Sequence, residues 1–161
     1  MKLVFMGSAG FAVPSLKALL ATGHEIVLVV CQPDRPKGRG QHLQAPPLKV
    51  AAEAAGLSVF QPEKVKAPEA VQKIQEAGAD LLIVVAYGQI LPKAVLEAPR
   101  LMPLNVHASL LPKFRGAAPI EWAVAAGETE TGVCVQKMVE RLDAGDVLSV
   151  AKLAIGPQEG A

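Results

Sequence analysis

Little in this chain serves cross-linking or soft-metal binding. Only two cysteines occur among 161 residues, Cys31 and Cys134. Both lie in apolar, strand-like runs, where a thiol behaves as a small buried hydrophobe rather than as half of a disulfide or metal pair. The three histidines, at 24, 42 and 107, lack ligand spacing, so no metal site is expected. Charge of one sign is missing too: 16 basic residues against 15 acidic give a net charge of +1, and any contact with a polyanion must be local. Long hydrophobic runs are absent. The longest, Leu81 to Tyr87 and Ile26 to Cys31, fall far short of the ~20 residues of a membrane helix. Gly7, Gly10 and Pro14 interrupt the apolar opening, and no small-x-small cleavage site follows, which argues against a secretory signal. A cytoplasmic protein without membrane association is expected.

What is present fits one soluble globular domain, with 51% apolar and 19% charged residues. Lys2 to Met6 reads as a strand, followed by a Gly7-Ser-Ala-Gly10 loop. A helical pattern then runs from about Pro14 to Thr22, and Ile26 to Gln32 reads as a buried strand. Together they form a βαβ unit. Pro33 to Pro47, with four prolines and two glycines, reads as an exposed loop. Helices are expected over Leu48 to Ala55, Pro68 to Ala77 and Lys93 to Glu97, with strands at Leu57 to Phe60 and Leu81 to Val85. A helix near Pro119 to Ala126 and strands at Gly132 to Met138 and Val147 to Ala154 complete the pattern. Gly156-Pro-Gln-Glu-Gly reads as the start of another helix. Alternating strands and helices predict an α/β, doubly wound, Rossmann-like domain with a mostly parallel sheet and antiparallel pairs among the later strands.

One stretch concentrates the chemistry. Leu104, Val106 and Ala108 alternate with Asn105, the only asparagine in the chain, and His107. Residues two apart on a strand share a face, so a carboxamide and an imidazole project together and can polarise or protonate one substrate oxygen. On the residues alone, a turn-capping asparagine and a satisfied buried histidine are the competing reading, and Asp143 before Ala-Gly is equally a plain turn aspartate. In open α/β sheets, ligands bind beyond the carboxyl ends of the strands. That rule gathers the Gly7 to Phe11, Tyr87 to Leu91 and His107 to Gly116 loops around one crevice, with the Asp143 loop closing it from the side.

The run His107-Ala-Ser-Leu-Leu-Pro-Lys-Phe-Arg-Gly116 resembles the signature of the formyltransferases that use 10-formyltetrahydrofolate. The longer match, over essentially the whole chain, resembles the methionyl-tRNA formyltransferases. The features that favour them are the basic Pro33 to Pro47 loop, Phe60-Gln-Pro62 and Val84-Val-Ala-Tyr-Gly-Gln-Ile-Leu-Pro-Lys93. Purine-pathway relatives lack Arg115-Gly-Ala-Ala-Pro119-Ile, whereas amino-sugar formylases share the Arg-Gly and Gly127-Glu-Thr-Glu-Thr-Gly132.

The resemblance implies the formyltransferase fold and a catalytic trio of Asn105, His107 and Asp143, the last within Leu142-Asp-Ala-Gly145. It implies folate contacts from Tyr87, Gly88, Gln89, Ile90 and Leu91, from Ser109, Leu110, Leu111 and Pro112, and from Val139. Ile90 and Leu91 are otherwise plain core, and Ser109 either fixes its loop or bridges to substrate. The implied partner is methionyl initiator tRNA, met by Arg35, Lys37, Arg39, Lys113 and Arg115; no protein partner is evident. The donor is 10-formyltetrahydrofolate, without a metal. Family members continue beyond this N-terminal formyltransferase domain into a C-terminal β-barrel, so residues 1–161 read as a truncated catalytic domain.

Three alternatives remain. An amino-sugar nucleotide can serve as acceptor at the same site. A nucleotide-cofactor Rossmann domain is disfavoured, because Gly7 to Gly10 lacks G-x-G-x-x-G spacing and Cys31-Gln32 replaces the acidic residue after the second strand. A non-catalytic nucleic-acid module would use Arg35, Lys37 and Arg39 for phosphate contacts without sequence readout.

Overall fold

The computed structural model describes residues 1–37 and 41–161. Two compact units carry the fold, Met1–Pro103 and Leu104–Ala161. In the first, β1 (Lys2–Gly7) pairs in parallel with β2 (Glu25–Val30) on one side and β6 (Leu81–Val85) on the other, while β5 (Val59–Phe60) adds to β2. The chain thus winds outward from β1 to β2 and β5, then crosses back to β6, which creates a reversal of strand order beside β1. The interior is apolar, with Leu3, Phe5, Leu82 and Val85 all fully buried. Each such side chain contributes about 1.5–3 kcal/mol through burial.

Helices α1 (Ala12–Leu20), α2 (Pro47–Ala54), α3 (Pro68–Glu76) and the short α4 (Lys93–Leu96) complete this unit. Helix α1 starts two residues earlier than the periodicity predicts. Pro14 tolerates this, because it stays in the first turn, where its missing N–H costs nothing. Gly7 ends β1 where no side chain fits: a Cβ there would lie 2.6 Å from the Val85 carbonyl oxygen and 2.9 Å from Ala12 Cβ and Leu48 Cδ2.

The reading of 33–47 as a loop needs correction. Arg35–Lys37 (β3) and His42–Gln44 (β4) form an antiparallel two-stranded ribbon, with Pro36 opposite Leu43. A proline lacks one ladder donor, yet in a two-stranded ribbon that position can face outward. The foot of the ribbon is tied down: Lys49 Nζ lies 2.8 Å from Asp34, and Gln61 donates to the same carboxylate at 2.7 Å.

In the second unit β7 (Met102–His107), whose first two residues still belong to the first, pairs antiparallel with β8 (Glu130–Lys137), and β8 with β9 (Val147–Ala154). Helix α5 (Pro119–Ala125) opens on Pro119, as expected. Strand β9 is exposed along its whole length. The helix expected from Gly156 is instead a turn, in which Glu159 accepts from the Gly156 N–H at 2.6 Å. Both cysteines are buried, and burial pushes the Cys31 thiol up to about 12. No helix among the described residues is long and apolar enough to cross a membrane.

Candidate active site

The site grows from the β7–β8 ladder. Asn105 stands opposite Gln136, and His107 opposite Cys134. Directly paired residues of an antiparallel ladder share a face, so two amides and the imidazole project together. The loop after β8 brings an acid to them. It closes through a Lys137 N–H to Asp146 carbonyl bond of 2.9 Å. Gly145 is required there, because a Cβ would collide with the Lys137 carbonyl oxygen. Asp143 adopts φ 45°, a left-handed conformation that aspartate tolerates better than most residues.

Asp143 is the hub. Its Oδ1 accepts from Gln136 Nε2 at 2.7 Å and from Asn105 Nδ2 at 3.3 Å, while Oδ2 accepts from the Gly116 N–H at 2.8 Å. His107 Nδ1 lies 3.7 Å from Oδ1, and both side chains are 7% exposed. The other ring nitrogen, Nε2, is 2.9 Å from the Phe114 carbonyl. A carbonyl only accepts, so Nε2 carries the hydrogen and Nδ1 faces the carboxylate; protonation of Nδ1 completes an ion pair. The expected juxtaposition of Asn105, His107 and Asp143 is therefore present, and the plain turn-aspartate reading does not describe this carboxylate.

Sequence reasoning overlooked Gln136. It is 1% exposed, and its Oε1 has no hydrogen-bond partner among the described residues. A signal existed: along β8 the buried positions are Gly132, Cys134 and Gln136, a period of two that puts a glutamine on the inward face.

The other expected contact residues are distributed unevenly. Ser109 is fully buried and donates to the Lys113 carbonyl at 2.6 Å, so its hydroxyl fixes its own loop. The Leu111–Pro112 bond is cis. Leu110, Pro112, Lys113 and Phe114 line a depression of about 320 Å³ that the trio does not border. Val139 is exposed. In the first unit, Tyr87 is buried with its hydroxyl unpartnered among the described residues, and burial pushes the phenol up to about 12. Gly88 takes φ 93°. Gln89 is pinned by the Val65 N–H, Gln32 and the Glu63 carbonyl. Leu91 is buried as core, whereas Ile90 is 87% exposed, so the two do not share the plain core reading.

Of the basic residues, Arg35 pairs with Glu63 and Lys113 with Glu128, all on accessible surface, and Arg115 is exposed. Lys37 contributes backbone to β3, and Arg39 lies outside the described residues.

The chain is 53% identical over 161 residues to the methionyl-tRNA formyltransferase of Geobacter metallireducens, covering 100% of this chain and 52% of that protein. It is 56% identical over 158 residues to the one from Acidobacterium capsulatum, covering 98% and 51%. The chain spans about half the length of these curated relatives. The crystal structure of phosphoribosylglycinamide formyltransferase from Bacillus halodurans superposes with a TM-score of 0.79 at 20% identity, covering 99% of this chain and 82% of that one, a likeness of fold alone. The formyl transferase sequence profile matches residues 1–161 from end to end, and the chain belongs to the formyl transferase family.

Proposed function

We propose that the protein transfers the formyl group of 10-formyltetrahydrofolate to the α-amino group of methionyl initiator tRNA, as a step of translation initiation. The observation that supports this most directly is the convergence of Asn105 and His107 on the Asp143 carboxylate, in a family member whose half-identical relatives are named for that acceptor. The acceptor amine attacks the formyl carbon, a C–N bond forms, and the carbonyl oxygen becomes an oxyanion. The carbonyl then re-forms as the bond from formyl carbon to the folate nitrogen breaks; the attacking amine gives up one proton and the folate nitrogen takes one up.

Asn105 has two amide hydrogens. One goes to Asp143, and the other serves the oxyanion; such donors typically contribute 10²–10³ in rate. His107 carries the proton, its Nε2–H leaving the Phe114 carbonyl when substrate arrives, while Asp143 stabilises the imidazolium. Donor contacts are assigned to Tyr87, Gly88, Gln89, Ile90 and Leu91, to Ser109 through Pro112, and to Val139. Exposed Ile90 is the sort of apolar group a flat pterin covers. Arg35, Lys37, Arg39, Lys113 and Arg115 are assigned to the tRNA backbone, with Arg35 and Lys113 exchanging Glu63 and Glu128 for phosphate.

The test offers 10-formyltetrahydrofolate together with methionyl-tRNA or an amino-sugar nucleotide. Formylmethionyl-tRNA and tetrahydrofolate should appear in equal amounts. A formylated sugar instead would overturn the acceptor assignment, and no product with either would overturn the reading.

A further inference from the structure

Outside the trio, one buried polar side chain acts on the same carboxylate. Gln136 donates from Nε2 to Asp143 Oδ1 at 2.7 Å, a shorter contact than that of Asn105. The direction of the amide is fixed, because a carboxylate oxygen only accepts. Nε2 must therefore face Asp143, which leaves the buried Oε1 without a donor among the described residues. Leaving a buried amide oxygen unsatisfied costs about 1–3 kcal/mol, a poor choice for a residue whose sole task is filling space.

We propose that Gln136 is a positioning residue: its N–H holds Asp143 charged and oriented toward His107 during formyl transfer. This rests on the function proposed above. The polar groups described around the carboxylate are Asn105 and His107 from β7, the Gly116 N–H from the following loop, and Gln136 from β8. Of these only His107 titrates, and the other three are neutral donors that favour the ionised acid. Asn105 is needed by the oxyanion and Gly116 holds the opposite oxygen, so Gln136 is the donor dedicated to the oxygen that His107 faces. Removing its N–H leaves Oδ1 with the longer Asn105 bond alone. Asp143 then binds a proton more readily, and His107 loses its counter-charge at a higher pH.

The decisive variants are Gln136→Met, which keeps the volume and removes the donor, and Gln136→Glu, which replaces the donor with a like charge. In Gln136→Met the acid limb of kcat should move up by about one pH unit, so kcat falls roughly tenfold on the acid side. On the alkaline plateau kcat should stay within about threefold, with KM for the folate donor unchanged. Gln136→Glu should move the limb further in the same direction. A Gln136→Met enzyme with the parental pH profile, or with a fall uniform across pH, would overturn the proposal. The titration of the Asp143 carboxyl carbon, followed by NMR, provides a reading independent of activity. Its midpoint should rise in both variants, and identical midpoints in parent and Gln136→Met would overturn the role of Gln136. Absence of formyl transfer by the parent would instead count against the proposed function.

Discussion

Each unit holds a partly buried polar cluster, and the two are built on opposite plans. In the first, neutral groups join the ends of three parallel strands. Ser8 Oγ donates to the Tyr87 carbonyl at 3.2 Å and accepts the Gln32 N–H at 3.0 Å, and Gln32 Nε2 reaches the same Tyr87 carbonyl at 3.1 Å. Gln61 and Gln89 extend the mesh to the Gln32 carbonyl, the Val65 N–H and the Glu63 carbonyl. Its partners are mostly backbone, so it fixes the shape of loops. In the second, four donors or rings aim at one carboxylate, and only one of them is backbone. Polar groups partnered by the main chain shape the protein, whereas side chains aimed at one charge prepare it for proton traffic.

This contrast is best broken by removing one member at a time. Asn105→Ala or His107→Ala should lower kcat by roughly 10²–10⁴ with the melting temperature little changed, checked by steady-state formylation and calorimetry; near-parental turnover would remove the chemical half of the distinction. Gly7→Ala should do the reverse. Its methyl group meets the Val85 carbonyl at 2.6 Å, and overpacking of this kind costs about 1–3 kcal/mol, measurable by urea unfolding. Gln61→Leu, which removes the side-chain donor to the Gln32 carbonyl and leaves Asp34 with Lys49 alone, should cost about 1 kcal/mol and leave formyl transfer unaltered.

The smallest effect is on acid stability. Hydrogen bonding from Gln61, and then from Lys49, holds the Asp34 carboxyl below its ordinary 3.8. A carboxyl depressed in the folded state adds stability that is fully present above the ordinary value and fades as pH falls through the lower, folded one. Asp34→Asn should therefore flatten the acid side of the melting profile as pH falls below the ordinary 3.8; an unchanged slope would show that the foot of the β3–β4 ribbon adds nothing there.

Sequence patterning already contained the fold class and much of the site. Leu81–Val85, five apolar residues in a row, suits a strand at the sheet centre, and it lies against β1. The alternation through Asn105 and His107 is enough to put both on one face of β7. The β3–β4 ribbon was hidden because Pro36 argues against a strand, and its partner His42–Gln44 has a single apolar residue. The start of α1 was displaced because Pro14 looks like a first residue but sits two steps deeper, third in the opening turn. Gln136 was missed for another reason: periodicity gave its face, but only the three-dimensional path of a loop with φ 45° at Asp143 brings a carboxylate within reach of it.

The bond from the Gly116 amide to Asp143 Oδ2 has a mechanical consequence. It ties the turn that leads into α5 to the loop after β8, so one acid latches two segments far apart in the chain. Losing that bond would slacken the backbone around Arg115, so the acid that faces His107 also sets the shape of the turn before α5.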